Sequence, residues 1–205
     1  MQSRCFDKRN ARYASEMTDL RSAGSLGERI QAARKARGMS ARELAEAIDG
    51  IPTQSTIENI ETGRKASVDV VQLLNIAMAT RTPLSFFLAP LARPDGPLDL
   101  PGLSPQFDSL NVAEFESWIT GAQDGSYRPA SLEERNAISE LQAFRDLRAQ
   151  LSEVRRLEVA LELQRDIPNG LDDSLVAANE DKLERARREV DRLRTFLRSA
   201  GWSIP

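Results

Sequence analysis

The side chains best suited to recognition chemistry lie together in one stretch, Thr53-Gln54-Ser55-Thr56-Ile57-Glu58-Asn59-Ile60. At helical spacing Ile57 and Ile60 share one face, and Gln54, Ser55, Glu58 and Asn59 form the other. A side-chain amide offers a donor and an acceptor side by side, a hydroxyl offers either, and an ionised carboxylate only accepts. That inventory suits hydrogen-bonded recognition and lacks the parts for catalysis. The chain has no histidine, which removes the usual neutral-pH general base and the commonest nitrogen ligand of metals. Its one cysteine, Cys5, can form neither an internal disulfide nor a zinc cluster. Asp172 and Asp173 are the nearest thing to a catalytic carboxylate pair, but adjacent acids in a turn are ordinarily solvated. No enzymatic activity, no cofactor and no metal are expected.

Positioning that face requires a set of short helices around it. Leu26, Ile30 and Ala33 recur at helical spacing and Gly38 closes the segment, which predicts a first helix. Ser40 and Glu43 form an S-x-x-E capping box that opens a second, with Leu44, Ala45 and Ile48 inward. Asp49-Gly50-Ile51-Pro52 breaks it, because proline disfavours helical geometry at the residue before it. Thr53 caps a third helix that runs through Ile60, and Gly63 ends it in the left-handed conformation. Ser67 is expected to open a fourth with Val68, Val71, Leu74, Ile76 and Ala77 as its apolar residues. Thr82-Pro83 then starts a short fifth holding Phe86, Phe87 and Leu88.

Two helices joined by a short turn, the later one with a polar outward face, have the geometry of helix-turn-helix proteins. Residues 26–90, about a third of the chain, resemble the Cro/cI-type (XRE) helix-turn-helix family. The resemblance is carried by RKARGMS at Arg34–Ser40, LAEAI at Leu44–Ile48, STIENIETG at Ser55–Gly63 and the helix that follows. It implies a five-helix, lambda-repressor-like DNA-binding domain and a transcriptional regulator, expected to be a repressor, that reads double-stranded DNA. It places Thr53, Gln54, Ser55, Thr56, Glu58 and Asn59 against base edges in the major groove. There Gln54 and Asn59 suit adenine, and Glu58 suits the amino group of cytosine. Ser40, Arg42, Arg64 and Lys65 are the expected phosphate contacts. Arg34 and Glu61 match a pair that is structural in the family. Three departures stand out: Ala41 replaces a usual glutamine, Asp49–Thr53 is about two residues longer than usual, and Glu58 adds a negative charge to the reading face.

The rest of the chain reads differently. Residues 1–24 are polar and lack helical periodicity, which predicts a flexible arm; Arg4, Lys8, Arg9 and Arg12 suit either a solvated tail or a groove contact, and Met17 is an alternative start. The domain at 25–90 is followed by five prolines between Pro90 and Pro105, which predict a semi-rigid extended linker at 91–108. A helical C-terminal domain is expected over 109–205. It opens with a short helix at 111–120, capped by Asn111 and Glu114 and carrying Phe115, Trp118 and Ile119. Long helices at about 131–165 and 174–200 follow, separated by Pro168-Asn169-Gly170. Leucine-rich stripes at steps of three and four predict an antiparallel helical hairpin or coiled coil, which makes the whole chain all-α. Those stripes serve a closed hairpin and self-association equally well. A homodimer or a protein partner is therefore an open expectation, and an antitoxin or adaptor that binds its partner through the hairpin is the alternative function.

Composition is that of a globular protein, with 40% hydrophobic and 29% charged residues. The net charge of −3 conceals a division. Residues 1–90 hold 13 Lys and Arg against 10 Asp and Glu, a net of +3, and residues 91–205 hold 15 against 21, a net of −6. No apolar stretch approaches the ~20 residues that span a bilayer. The N-terminus lacks the apolar run of a secretory signal, so a cytoplasmic, nucleoid-associated location without membrane contact is expected. Arginines 185, 187, 188, 192, 194 and 198 are interleaved with acids, which predicts surface pairing rather than a second basic surface.

Overall fold

The computed structural model describes residues 23–122, 125, 127–165 and 173–204, and within these it forms two units, one ending at Thr120 and the other beginning at Gly121. Among the described residues the regular structure is helical, with one isolated bridge between Pro97 and Asn111. No helix in them is long and apolar enough to cross a membrane.

The first unit starts with α1 (Leu26–Ala36), α2 (Ala41–Ala47), α3 (Gln54–Glu61), α4 (Val70–Thr80) and α5 (Ser85–Leu88). Ser25 caps α1 by accepting from the Glu28 amide. Ser40 and Glu43 cap α2 reciprocally, at 3.1 Å and 2.7 Å. Thr53 caps α3. Each of the five helices gives at least one fully buried side chain to a common core, among them Ile30, Leu44, Ile57, Ile76 and Phe87. Burying a residue of this size stabilises a fold by roughly 1.5–3 kcal/mol. No helix here exceeds 11 residues, so each owes its stability to this packing rather than to propensity.

The fourth helix differs from expectation in start and face. Its N-cap is Asp69, not Ser67, and the Asp69 carboxylate accepts from the amides of Val71 and Gln72. Leu73, Ile76, Ala77 and Thr80 form the buried face, whereas Val71 and Leu74 point outward with Val70 and Met78. Leu73, Ile76, Ala77 and Thr80 recur at steps of three and four, and at 100° per residue Val71 and Leu74 fall on the opposite side. At its other end Arg37 reaches across from α1 and donates to the Thr80 and Arg81 carbonyls, which lie beyond the last intrahelical donors.

The proline-rich stretch is not an extended linker, and the short helix after it does not group with the C-terminal hairpin. Residues 91–110 fold back, with a 3-10 turn at Pro105–Ser109, and lead into α6 (Val112–Thr120) within the first unit. Leu91, Leu98, Leu100, Phe107 and Leu110 pack around Ala89, Val112 and Phe115. Phe107 meets Phe115 and Trp118 edge to face. Asn111 and Glu114 cap α6 reciprocally at 2.9 Å. The decisive tie is charged. Arg29, wholly buried in α1, forks onto Asp99 at 2.5 Å and 2.8 Å and also donates to the Phe87 carbonyl at 2.9 Å. Proline spacing excludes helix, but it carries no information about a buried arginine 70 residues earlier in the chain.

The second unit is built on α7 (Leu132–Arg165) and α8 (Asp173–Ser199), which run antiparallel. Ala143 and Leu147 pack with Val190, Leu193 and Leu197 near one end, and Leu157 and Leu161 with Leu183 toward the other. Past α8, Trp202 stacks on Phe144 and its indole N–H donates to Glu140 at 2.8 Å. The buried leucines of the two stripes thus face one another within the chain, while Leu151 of the α7 stripe is exposed. Ser131 caps α7, but Glu134 returns to the Ala130 amide and the Tyr127 hydroxyl instead of completing a box with Ser131. Among the described residues, three of the six arginines of α8 pair with acids, Arg188 with Glu184, Arg192 with Glu189 and Arg187 with Glu158 across the seam, and Arg198 donates to the Ile204 carbonyl. The N-terminal arm with Arg4, Lys8, Arg9, Arg12 and Met17, the Pro168-Asn169-Gly170 break and Asp172 lie outside the described residues, as does the side chain of Asp173.

Removing one partner of a buried ion pair strands the other charge, so Asp99→Ala is expected to destabilise the first unit by about 3 kcal/mol. Replacing both partners with Arg29→Met and Asp99→Leu is expected to recover much of that loss, as urea unfolding of the three proteins will show.

Candidate nucleic-acid interface

Helix α3 has eight residues, too few to persist alone, and its placement depends on what lies behind it. Two contacts from α1 supply this. Gly27 lies directly against the end of α3: a Cβ there would be 2.2 Å from the Ile60 carbonyl oxygen and 3.1 Å from its carbon. Only a residue without a side chain lets the two backbones approach so closely. One and two turns further on, Gln31 and Arg34 converge on Glu61, the last residue of α3. Arg34 donates through Nε and Nη2 to the two carboxylate oxygens, each at 2.7 Å, and through Nη1 to the Met39 carbonyl at 2.6 Å. Gln31 adds a donor to Glu61 at 3.3 Å and accepts from Lys35. The pair is almost dry, with side-chain exposures of 11% and 4%, so its electrostatic attraction is poorly screened. Hydrogen bonding to Glu61 raises the Arg34 pKa against the opposing effect of burial, with the charges of Glu61 and Glu58 adding to the rise. Arg34 and Glu61 thus tie α1, α3 and the turn before α2 together.

The turn between α2 and α3 is tight. Asp49 and Gly50 both adopt positive φ, at 51° and 73°, and the Gly50 amide donates back to Ala45 at 2.8 Å. Asparagine and aspartate are the side-chain residues that tolerate this region best, which explains how the turn accommodates its additional length. The Ile51–Pro52 peptide is cis. Asn75 of α4 donates to the Ile51 carbonyl at 3.0 Å and secures the turn from the far side. At the other end of α3, Thr62 donates its hydroxyl to Glu58 O and the Lys65 amide donates to Asn59 O, with Gly63 at φ 72° between them.

With its back so fixed, α3 buries Ile57 and Ile60 and exposes Gln54, Ser55 and Glu58, with Asn59 and Thr56 half-buried at the margins. The face is organised into two groups. The hydroxyls of Thr53, Ser55 and Thr56 cluster, with Thr53 Oγ1 3.2 Å from Ser55 and 3.0 Å from Thr56 while it also caps the Thr56 amide. Gln54 donates through Nε2 to Glu58 at 2.8 Å. Arg64 is exposed just beyond α3, and Lys65, half-buried, donates to Gln72.

Ser40 and Arg42 lie at the start of α2, and both have partners inside the protein. Ser40 is part of the capping box, and Arg42 pairs with Glu46 at 2.8 Å in the open. The Ser40 amide, then its hydroxyl, hold the Glu43 carboxyl below the usual range. Its contribution is therefore present above the ordinary glutamate pKa and lost as pH falls through the lowered value.

A short helix packed across a second, with its polar face outward and a basic residue after it, is a helix-turn-helix in three dimensions as well as in pattern. Residues 30–87 match the Cro/cI-type helix-turn-helix family. The match spans α1 from Ile30 through most of α5, and it supports a DNA-binding helix-turn-helix regulator. No curated protein and no solved structure matches the chain. The helix-turn-helix segment therefore ends before the fold-back of 91–110, and before Asp99, on which Arg29 depends.

Sequence reasoning missed four residues that build this site: Gly27, Gln31, Asp69 and the Arg29–Asp99 pair's buried member, Arg29. Gly27 carried a legible signal, since glycine inside a helix costs about 1 kcal/mol relative to alanine and asks for a packing reason. The others became visible only with their partners in place.

Gly27→Ala is expected to cost about 1–3 kcal/mol in stability, because the Ile60 backbone it meets cannot rotate aside as a side chain would. Arg34→Lys keeps the charge but loses the fork to Glu61, and its thermal midpoint is expected to fall well below that of the exposed control Arg42→Lys.

Proposed function

We propose that this protein is a sequence-specific double-stranded DNA-binding transcriptional regulator, acting as a repressor, that reads the major groove with the outward face of α3. The observation that supports this most directly is that face itself: Gln54, Ser55 and Glu58 are exposed on a helix whose back is locked by Ile57, Ile60 and the Arg34–Glu61 fork. A reader must hold its donors and acceptors still, since a loose side chain loses entropy on binding and discriminates poorly. Ser55, Thr56 and Asn59 supply further groups for base edges. Thr53 contributes chiefly by capping the helix that presents them.

Phosphates are met by Arg64 just past α3, by Lys65, and by Arg42 on exchanging its exposed glutamate partner for a phosphate. An exposed i,i+4 pair is worth ~0.3–0.5 kcal/mol, so that exchange costs little. Ser40 adds an oxygen at the same helix start. Repression needs no more than occupancy of a promoter, which a reader domain supplies by itself.

The test is fluorescence anisotropy on the DNA upstream of the protein's own coding sequence, against random duplex, across a salt series. Wild type is expected to prefer its own upstream DNA. Gln54→Ala is expected to relax that preference, and Arg64→Ala to weaken all duplexes alike and reduce the salt slope by about 1. Equal binding to own and random DNA at physiological salt would refute the reading and direct attention to a protein partner.

A further inference from the structure

The recognition face contains one internal contact that changes what it can read. Glu58 is exposed on α3 one turn after Gln54, and the Gln54 amide nitrogen donates to its carboxylate at 2.8 Å. An ionised carboxylate is an acceptor only, so the amide presents its nitrogen to Glu58. A glutamine reads adenine by accepting from N6 while donating to N7. In this protein one of the two amide hydrogens is committed to Glu58, which leaves one for a base, and the next side chain along the face is an acceptor with a negative charge. What the two side chains offer outward is one amide hydrogen against the several acceptor sites of Gln54 Oε1 and the Glu58 carboxylate, and the charge lies with the acceptors.

Base edges in the major groove answer that offer unequally. Guanine presents N7 and O6 and thymine presents O4, all acceptors, which a carboxylate repels. Adenine has a donor at N6, but N7 lies beside it and brings a lone pair toward the same carboxylate. Cytosine presents its N4 amino group with no acceptor on the major-groove side, and it is the base whose amino group glutamate accepts from. We infer that Gln54 and Glu58 act as one reading unit that selects cytosine through N4, with Glu58 as the specificity-determining residue and Gln54 as its positioning partner. This rests on the major-groove reading proposed above and deepens it. The side chain best suited by type to adenine is turned into a support for its neighbour.

The experiment is selection of binding sites from a randomised duplex pool by the full chain, with Glu58→Gln and Glu58→Ala carried in parallel. Glu58 is exposed and outside the core, and the thermal midpoint of each variant is measured to show that it folds as wild type does. Wild type is expected to enrich cytosine at one position of the half-site. Glu58→Gln restores a donor to the face and is expected to move that position to adenine, with affinity for the original site down about tenfold to a hundredfold. Glu58→Ala is expected to lose the cytosine preference there while other positions stay unchanged. A specific wild-type site whose base preferences are identical in both variants overturns this inference and leaves the DNA-reading function intact. So does a wild-type preference for adenine that Glu58→Ala abolishes, since Glu58 would then be orienting Gln54 for adenine. If wild type enriches no sequence at all, the DNA-reading function falls and this inference falls with it.

Discussion

The eight residues of α3 are held in place by another helix. The Arg34–Glu61 fork and the backbone contact at Gly27 act on the same few residues of α3, one through directional, nearly dry hydrogen bonds and the other through steric fit. Together they set the distance and the rotation of α3 relative to α1. Those are the two variables that decide which side chains face outward. The buried isoleucines add hydrophobic stabilisation, but apolar contact is non-directional and would tolerate a small roll of the helix. The fork would not, because both carboxylate oxygens have partners at 2.7 Å. Everything the outward face can do depends on that roll being fixed.

A second charged fork performs the same task where the recognisable family segment ends. Arg29 lies on α1 and is wholly buried, and its guanidinium reaches the Phe87 carbonyl and both oxygens of Asp99. A buried guanidinium is costly unless each donor is matched, and here the match comes from chain beyond residue 87. The fold-back of 91–110 and α6 are thus structurally part of the first unit. With Phe107, Phe115 and Trp118 it forms a small satellite core next to the five-helix one. The hairpin of the second unit solves a different problem. Its buried leucines pack against each other, and Arg156, Arg187, Arg188 and Arg192 are matched to glutamates at i,i+3, i,i+4 or across the seam. That leaves the basic character of the molecule to the N-terminal half.

Much of this could be read from residue order alone, because it depends on neighbours within a turn or two. The capping boxes at Ser40 and Asn111, the cap at Thr53, the left-handed Gly38 and Gly63, and the five short helices all involve groups three or four residues apart. The same holds for the outward face of α3 and for the arginine–glutamate pairing of α8, each a matter of 3.6-residue periodicity. The antiparallel course of α7 and α8 follows from two long stripes joined by a short connection.

What tertiary structure decided is the set of contacts whose partners lie far apart in the chain. Asp99 had no reason to be singled out among prolines until Arg29 came to lie beside it, 70 residues away. The face of α4 was decided by what it packs against, since Leu73, Ile76 and Ala77 join the core of the other four helices while Val71 and Leu74 do not. The Gln54–Glu58 bond, though local, depends in addition on rotamers chosen in the folded helix. Local spacing determined the elements and the chemistry available on them. Long-range pairing, to which sequence periodicity is blind, decided where that chemistry points.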